Sequence, residues 1–199
     1  AQDVLGQFHL AVGGGPVGLT LAMDLASRGI DVTVTEIREP GELPSVKCNQ
    51  VSARSMEVYR RLGIAKTIRQ AGLPPDHPHD VACRISATGT ELSRITLPSP
   101  AGRGRAEQGD DTWWPTPEPT HRINQTYLEP VLFAHAAAQP RIRILNRTEF
   151  EEFSQDERGV AGMARDLDSG ERISISCQYL VGCDGARSAV RHGMDAELS

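Results

Sequence analysis

The apolar positions change period along the chain, and the changes mark its elements. Leu10 to Val12 form a short apolar run that predicts a buried strand. Leu19, Leu21, Ala22, Leu25 and Ala26 then recur at helical spacing, predicting one buried face of a helix that Gly29 ends as a C-cap glycine. Asp31 to Thr35 alternate as a second strand, closed by Glu36. After a Pro/Gly loop at Glu39 to Pro44, Ser52 is a candidate N-cap for a helix through Met56, Val58, Tyr59 and Leu62 that Gly63 ends. Ile64 to Ala71 predict a further short helix, stopped by Gly72 and Pro74-Pro75.

From Pro74 to Pro119 the pattern changes to Pro/Gly punctuation and short alternating runs. Val81 to Ile85 and Leu92 to Leu97 read as strands of a sheet in a different layer, and Ala101 to Asp111 as a mobile loop. Thr126-x-x-Glu129 fits a capping box, with Pro130 still in the first turn, where it is tolerated. Val131, Leu132, Ala134, His135 and Ala138 carry that helix to Pro140. Strands follow at Arg141 to Leu145, Thr148 to Ser154, Val160 to Arg165 and Arg172 to Cys177. Turn residues at Asp156 to Gly159 and Asp168 to Gly170 argue for an antiparallel meander. Tyr179 to Cys183 reads as a short buried strand that runs into Asp184-Gly185 and a short helix. Composition divides the chain at 1–73, 74–119 and 120–199.

Composition narrows the function classes. Hydrophobic residues make up 39% and aromatic residues 5%, enough for a core without richness. A net charge of -5 with no basic run argues against nucleic acid as a partner. No apolar stretch reaches spanning length without glycine or charge, and the start lacks a basic leader, so neither a membrane span nor a signal peptide is expected. The four cysteines form no C-x-x-C pair and read as reduced, in a cytoplasmic protein. His77-Pro78-His79 offers two histidines in a proline loop with no third ligand, so solvent-facing rings are expected there and no metal site.

The chemistry concentrates near the start. Gly13-Gly14-Gly15-Pro16-Val17-Gly18 satisfies G-x-G-x-x-G through Gly13, Gly15 and Gly18, directly after a strand and opening a helix. Gly13 permits the tight turn, Gly15 lets backbone approach a pyrophosphate, and Gly18 lets the helix pack close on the sheet. Phosphates then sit at a helix N-terminus, where free N–H groups and the dipole favour negative charge. Glu36, at the end of the next strand, is placed to accept hydrogen bonds from a ribose diol. Lys47 and Arg54 bracket a helix entry and are either ligand contacts or solvated cations. Arg122 and Gln125, just before a helix start, are ligand contacts or loop residues. Trp113-Trp114 either line a cavity or fill the core. Asp184, a carboxylate at a strand end beside a glycine and a helix start, is placed to meet a cofactor.

Together these stretches resemble the FAD-dependent aromatic monooxygenases of the para-hydroxybenzoate hydroxylase type, the single-component group A enzymes. The resemblance rests on the glycine turn with Glu36, on Lys47 through Gly63, and on Tyr179 to Arg191, which matches the pattern C-D-G-A-x-S-x-V-R. Arg122 to Glu129 matches a weaker pattern that supplies a glutamine near the flavin. The resemblance implies an α/β fold: a Rossmann-like FAD-binding βαβ fold with an antiparallel β-meander and part of a β-sheet substrate domain. It implies that Gly13, Gly15 and Gly18 hold the FAD pyrophosphate and Glu36 the adenosine ribose. Lys47 and Arg54 would lie along the phosphates, Gln125 would approach the flavin near Arg122, and Asp184 would sit in a motif shared between FAD and NAD(P)H. The implied reaction is flavin reduction by NADH or NADPH, capture of molecular oxygen as a flavin hydroperoxide, and hydroxyl transfer to a small aromatic substrate. A homo-oligomer is compatible with this reading.

The family's later Gly-Asp fingerprint does not follow Arg191, and Gly109-Asp110 is read as coincidental. The chain therefore reads as the N-terminal part of a longer enzyme. By itself it is expected to hold FAD weakly or not at all and to show little catalysis. Rival readings are a polyketide hydroxylase, an epoxidase or a flavin halogenase, or a non-catalytic nucleotide-binding module derived from such an enzyme.

Overall fold

The structure, a computed structural model, describes residues 8–44, 48–102 and 116–196, and the backbone of 3–5. Lys47, Gly109-Asp110, Trp113-Trp114 and most of the tract read as a loop lie outside the described residues. In chain order the elements are β1 (Asp3–Leu5), β2 (His9–Val12), α1 (Pro16–Ser27), β3 (Val32–Thr35), β4 (Gln50–Val51), α2 (Ala53–Arg61), α3 (Ala65–Ala71), β5 (Val81–Arg84) and β6 (Glu91–Ile95). Then come β7 (His121–Arg122), α4 (Gln125–Ala137), β8 (Ile142–Leu145), β9 (Thr148–Asp156), β10 (Gly159–Asp166), β11 (Arg172–Cys177), β12 (Tyr179–Gly182) and α5 (Ala189–Gly193). They form two compact units, residues 1–44 with 129–199 and residues 45–128.

In the first unit a parallel sheet runs in the order β12-β2-β3-β8, and a second sheet in the order β1-β11-β10-β9. The meander β9-β10-β11 is antiparallel, while β1 joins β11 in parallel. β8, which directly precedes the meander, joins the parallel sheet instead. Phe8, Leu10 and Val12 pack with Phe150, Ala164, Ile175, Cys177 and Val190 in one cluster between the two sheets. Each buried aliphatic or aromatic side chain contributes roughly 1.5–3 kcal/mol. α1 buries Gly18, Leu19, Ala22, Met23 and Ala26. Met23 thus takes the core position that helical spacing gave to Leu21 and Leu25, which are half-buried. Every residue of β3 is buried, its threonines included, because both faces of an inner parallel strand are covered. β12 departs from the expected buried strand. It is the sheet edge, and Tyr179 is 63% exposed.

In the second unit Ser52 caps α2 as the sequence suggests, accepting a hydrogen bond from the Ser55 backbone N–H. β4 and β7 form a short antiparallel ladder, and β5 and β6 form a hairpin whose strand residues are all exposed. α4 begins in this unit, and its start corrects the capping-box reading. The Asn124 side chain accepts from Thr126 N at 2.9 Å, and the Asn124 carbonyl accepts from Tyr127 and Leu128. Asn124 is therefore the N-cap, and Pro130 lies inside the helix, not in its first turn. Asn124→Ala is expected to lower stability by about 1 kcal/mol in urea denaturation, and Thr126→Ala to change it by less than half of that.

Candidate functional site

The C-terminal ends of β2, β3 and β12 lie in register at Val12, Thr35 and Gly182. At those ends the chain places Gly13, Gly15, Gly18, Glu36 and Asp184. Gly13 has a φ of 105°, and its N–H donates to the Thr35 carbonyl at 2.9 Å. A Cβ there would sit 2.6 Å from the Cys183 carbonyl oxygen. The turn is thus wedged against the backbone of the Asp-Gly segment. Gly18 packs against the Gly13 carbonyl so closely that a Cβ would overlap it.

Gly15 is different. Its backbone is extended (φ -76°, ψ -173°), and a Cβ there would meet nothing within 4 Å. It stands at the N-terminus of α1, where no side chain supplies a capping hydrogen bond. That leaves an open, glycine-lined approach to the positive end of a helix.

Glu36 is buried, with 8% of its surface exposed. Its Oε2 accepts from Gly14 N at 2.8 Å and from Arg38 Nη2 at 3.2 Å. Its Oε1 accepts from the Arg38 backbone N–H and from Nε, each at 3.0 Å. Burial pushes the carboxyl upward, but the Arg38 hydrogen bonds and charge, with the Gly14 N–H, outweigh it and hold the group below its ordinary value. Arg38 in turn donates through Nη1 to Glu129 Oε2 at 2.8 Å. Arg38 and Gly14 were not singled out as site residues from the sequence, and Glu129 only as the acid of a capping box and the end of a weaker pattern. Gly14 falls on a free position of the motif, yet a Cβ there would come within 2.8 Å of Glu36 Oε2.

Asp184 turns inward to its own helix. Its Oδ2 accepts from Ala189 N at 2.7 Å, while Oδ1 is buried with no hydrogen-bond partner among the described residues. Burial, with the Asp184 charge, pushes the neighbouring Cys183 thiol up.

The other candidate residues belong to the second unit. Arg54 is exposed in the first turn of α2. Arg122 lies on β7 and donates to the His79 carbonyl at 2.9 Å. Gln125 is the first residue of α4, its N–H donating to the Cys48 carbonyl at 3.0 Å. Arg122 also lines a cavity of about 620 Å³ with Asn49, His77, Asp80, Asn124 and Tyr127. His79 is buried, its Nδ1 3.1 Å from Thr120 Oγ1, so only His77 is on the surface as both were expected to be. Lys47 lies outside the described residues. No described helix is long and apolar enough to cross a membrane.

A profile of the FAD binding domain matches residues 9–199. The chain is similar to the FAD-dependent monooxygenase apdD of Emericella nidulans, at 34% identity over 193 residues, covering 95% of this chain and 30% of that protein. It is 30% identical over 182 residues to a phenol 2-monooxygenase of a Pseudomonas species, covering 91% of this chain and 29% of that one. The crystal structure of the flavin-dependent monooxygenase PieE, in complex with FAD and substrate, aligns with all of this chain and 33% of its own at a TM-score of 0.83 and 26% identity. The chain therefore spans about a third of the length of these relatives.

Proposed function

Because the chain belongs to the FAD binding domain family, we propose that it forms the dinucleotide-holding part of an NAD(P)H-dependent monooxygenase that hydroxylates a small phenolic substrate. The observation that carries the proposal is the Gly15 approach at the head of α1, beside the buried, ionised Glu36. A pyrophosphate needs backbone donors without an intruding Cβ, and a ribose diol needs a carboxylate acceptor. Both are provided at the ends of adjacent strands.

In this reading Gly13 and Gly18 shape the turn, Gly15 faces the pyrophosphate, and Glu36 accepts from the adenosine ribose. Lys47 and Arg54 lie along the phosphates, Arg122 and Gln125 face the flavin half, and Asp184 holds the helix after the Asp-Gly turn. The tract 74–119 contributes to a substrate domain. FAD would supply the redox chemistry that activates oxygen, with NADH or NADPH as reductant. The protein's part is orientation, exclusion of water and a fixed negative charge at the ribose. The relatives' names, phenol 2-monooxygenase among them, support an aromatic substrate. The free described cysteines suit a reducing cytoplasm.

The test uses ADP-ribose as a probe, which carries the adenosine and diphosphate of FAD with a second ribose in place of the riboflavin part. Titration calorimetry of the 199-residue chain is expected to show binding of ADP-ribose. Gly15→Val is expected to weaken it by about tenfold or more, some 1.4 kcal/mol, with the melting curve little changed because the new Cβ meets nothing within 4 Å. Equal affinity in wild type and variant would remove the glycine turn as the pyrophosphate site.

A further inference from the structure

Glu36 accepts through both oxygens, with a full negative charge, only while it is ionised, and burial works against that. The arrangement around it spans the first unit. On the turn before α1 it meets only backbone, the Gly14 N–H. From the loop after β3 Arg38 wraps it with three donors, counting its own backbone N–H and Nε on Oε1 and Nη2 on Oε2. The guanidinium is itself held from α4, where Glu129 Oε2 accepts from Nη1 at 2.8 Å. The loop after β8 fixes the Arg38 backbone, since Asn146 Nδ2 and Arg147 N both donate to the Arg38 carbonyl. The Arg147 side chain turns away to Asp168 at 3.1 Å. Arg38 and Glu129 are 22% and 9% exposed at their side chains, so the pair is shielded from solvent.

We propose that Arg38 and Glu129 are a positioning pair for the dinucleotide ribose, Glu129 aiming the guanidinium and Arg38 fixing the orientation and charge of Glu36. This rests on the reading of Glu36 as the ribose acceptor. A planar guanidinium can grip both carboxylate oxygens from one side; with the Gly14 and Arg38 backbone N–H groups each oxygen accepts two hydrogen bonds, so a ribose hydroxyl would share an oxygen with one of these donors or displace it. A lysine at 38 could offer the charge but not the fork. Glu129 matters because an arginine held at one end only is free to turn away. With Glu129 on its Nη1, three of the guanidinium's contacts are fixed at once.

The sign of the pH effect follows. In the wild type the Glu36 carboxyl is held below its ordinary value of 4.5, so it stays ionised throughout pH 5.5 to 8. Without Arg38, burial is the dominant remaining influence and raises the carboxyl, so acidification protonates it, turns one oxygen into a donor and removes the charge that strengthens the other.

The experiment measures ADP-ribose affinity of the 199-residue chain between pH 5.5 and 8, with a carbon-13 carboxyl titration of Glu36 in the ligand-free protein. Wild type is expected to bind with a flat profile. Arg38→Met is expected to bind about tenfold more weakly, the worth of one hydrogen bond to a charged group, and to weaken further as pH falls. Arg38→Lys is expected to restore the flat profile with part of the affinity. Glu129→Met, which keeps the Arg38–Glu36 pair, is expected to weaken binding severalfold with a flat profile. If wild type binds and Arg38→Met follows the same flat profile, the positioning pair is overturned while the ribose reading stands. If wild type binds no ADP-ribose, the ribose reading falls and takes this inference with it. Should Arg38→Met fail to fold, unchanged affinity in Glu129→Met overturns the proposal by itself.

Discussion

Gly18→Ala is expected to destabilise the protein by about 2 kcal/mol in urea denaturation, against the usual direction for that exchange. Inside a helix, alanine is normally favoured over glycine by about 1 kcal/mol. Gly18 is in the first turn of α1, but the new Cβ would overlap the Gly13 carbonyl oxygen. A flexible side chain could yield, whereas this backbone is fixed on several sides. Gly13 has a left-handed φ, donates to Thr35 and abuts the Cys183 carbonyl. Relief would have to lift α1 off the sheet, where Leu19, Ala22 and Met23 are buried. Gly15→Ala serves as the control within the same turn, with no loss of stability because its surroundings are open. A Gly18→Ala protein more stable than wild type would show that the turn is looser than described.

Phe150→Ala is expected to cost about 3–4 kcal/mol, within the range for removing a buried aromatic ring. Phe150 sits on β9 in the cluster that joins the two sheets through Leu10 and Val12. Its ring lies over Gly162 on β10, where a Cβ would come 2.7 Å from Cε2. The missing side chain at 162 is thus what gives the ring its seat. Ile85→Ala is the comparison. Ile85 is 70% exposed, and its loss should stay within about 0.5 kcal/mol. Similar losses for the two variants would contradict a core placed between the sheets.

Much of this was legible from the chain itself. The βαβ unit, the Ser52 cap and the meander follow from local signals: hydrophobic period, turn residues and a cap-competent side chain. The failures share a cause, which is that the deciding partner is distant or the choice is between equals. Asn124 and Thr126 can each cap a helix, and the pattern Thr126-x-x-Glu129 favours the wrong one. Glu129 is instead taken by Arg38, 91 positions away, which no local spacing announces. His79 is buried by pairing with Thr120, 41 positions off. Tyr179 to Gly182 is apolar enough to read as an inner strand, but sheet order puts it at an edge. At the candidate site, the glycines and Glu36 were legible because their geometry is a motif. Arg38 was not, although it stands only two residues beyond Glu36, because a charge after a strand is ordinarily solvated.

The wedging of the glycine turn against the Cys183–Asp184 backbone carries a consequence for how the protein is made. β2, α1 and β3 lie together at the start of the chain, and Gly14 finds Glu36 only 22 positions away. β12, the other wall of the turn, follows only after α2 to α4 and the strands β4 to β11. A nascent chain can therefore bring the Glu36 carboxylate to its Gly14 donor long before the turn is braced, and must close a very long loop to brace it. Such non-local closure is slow. During synthesis the turn exists first with one wall, and the ribosome must release the chain through β12 before the second wall can close on it.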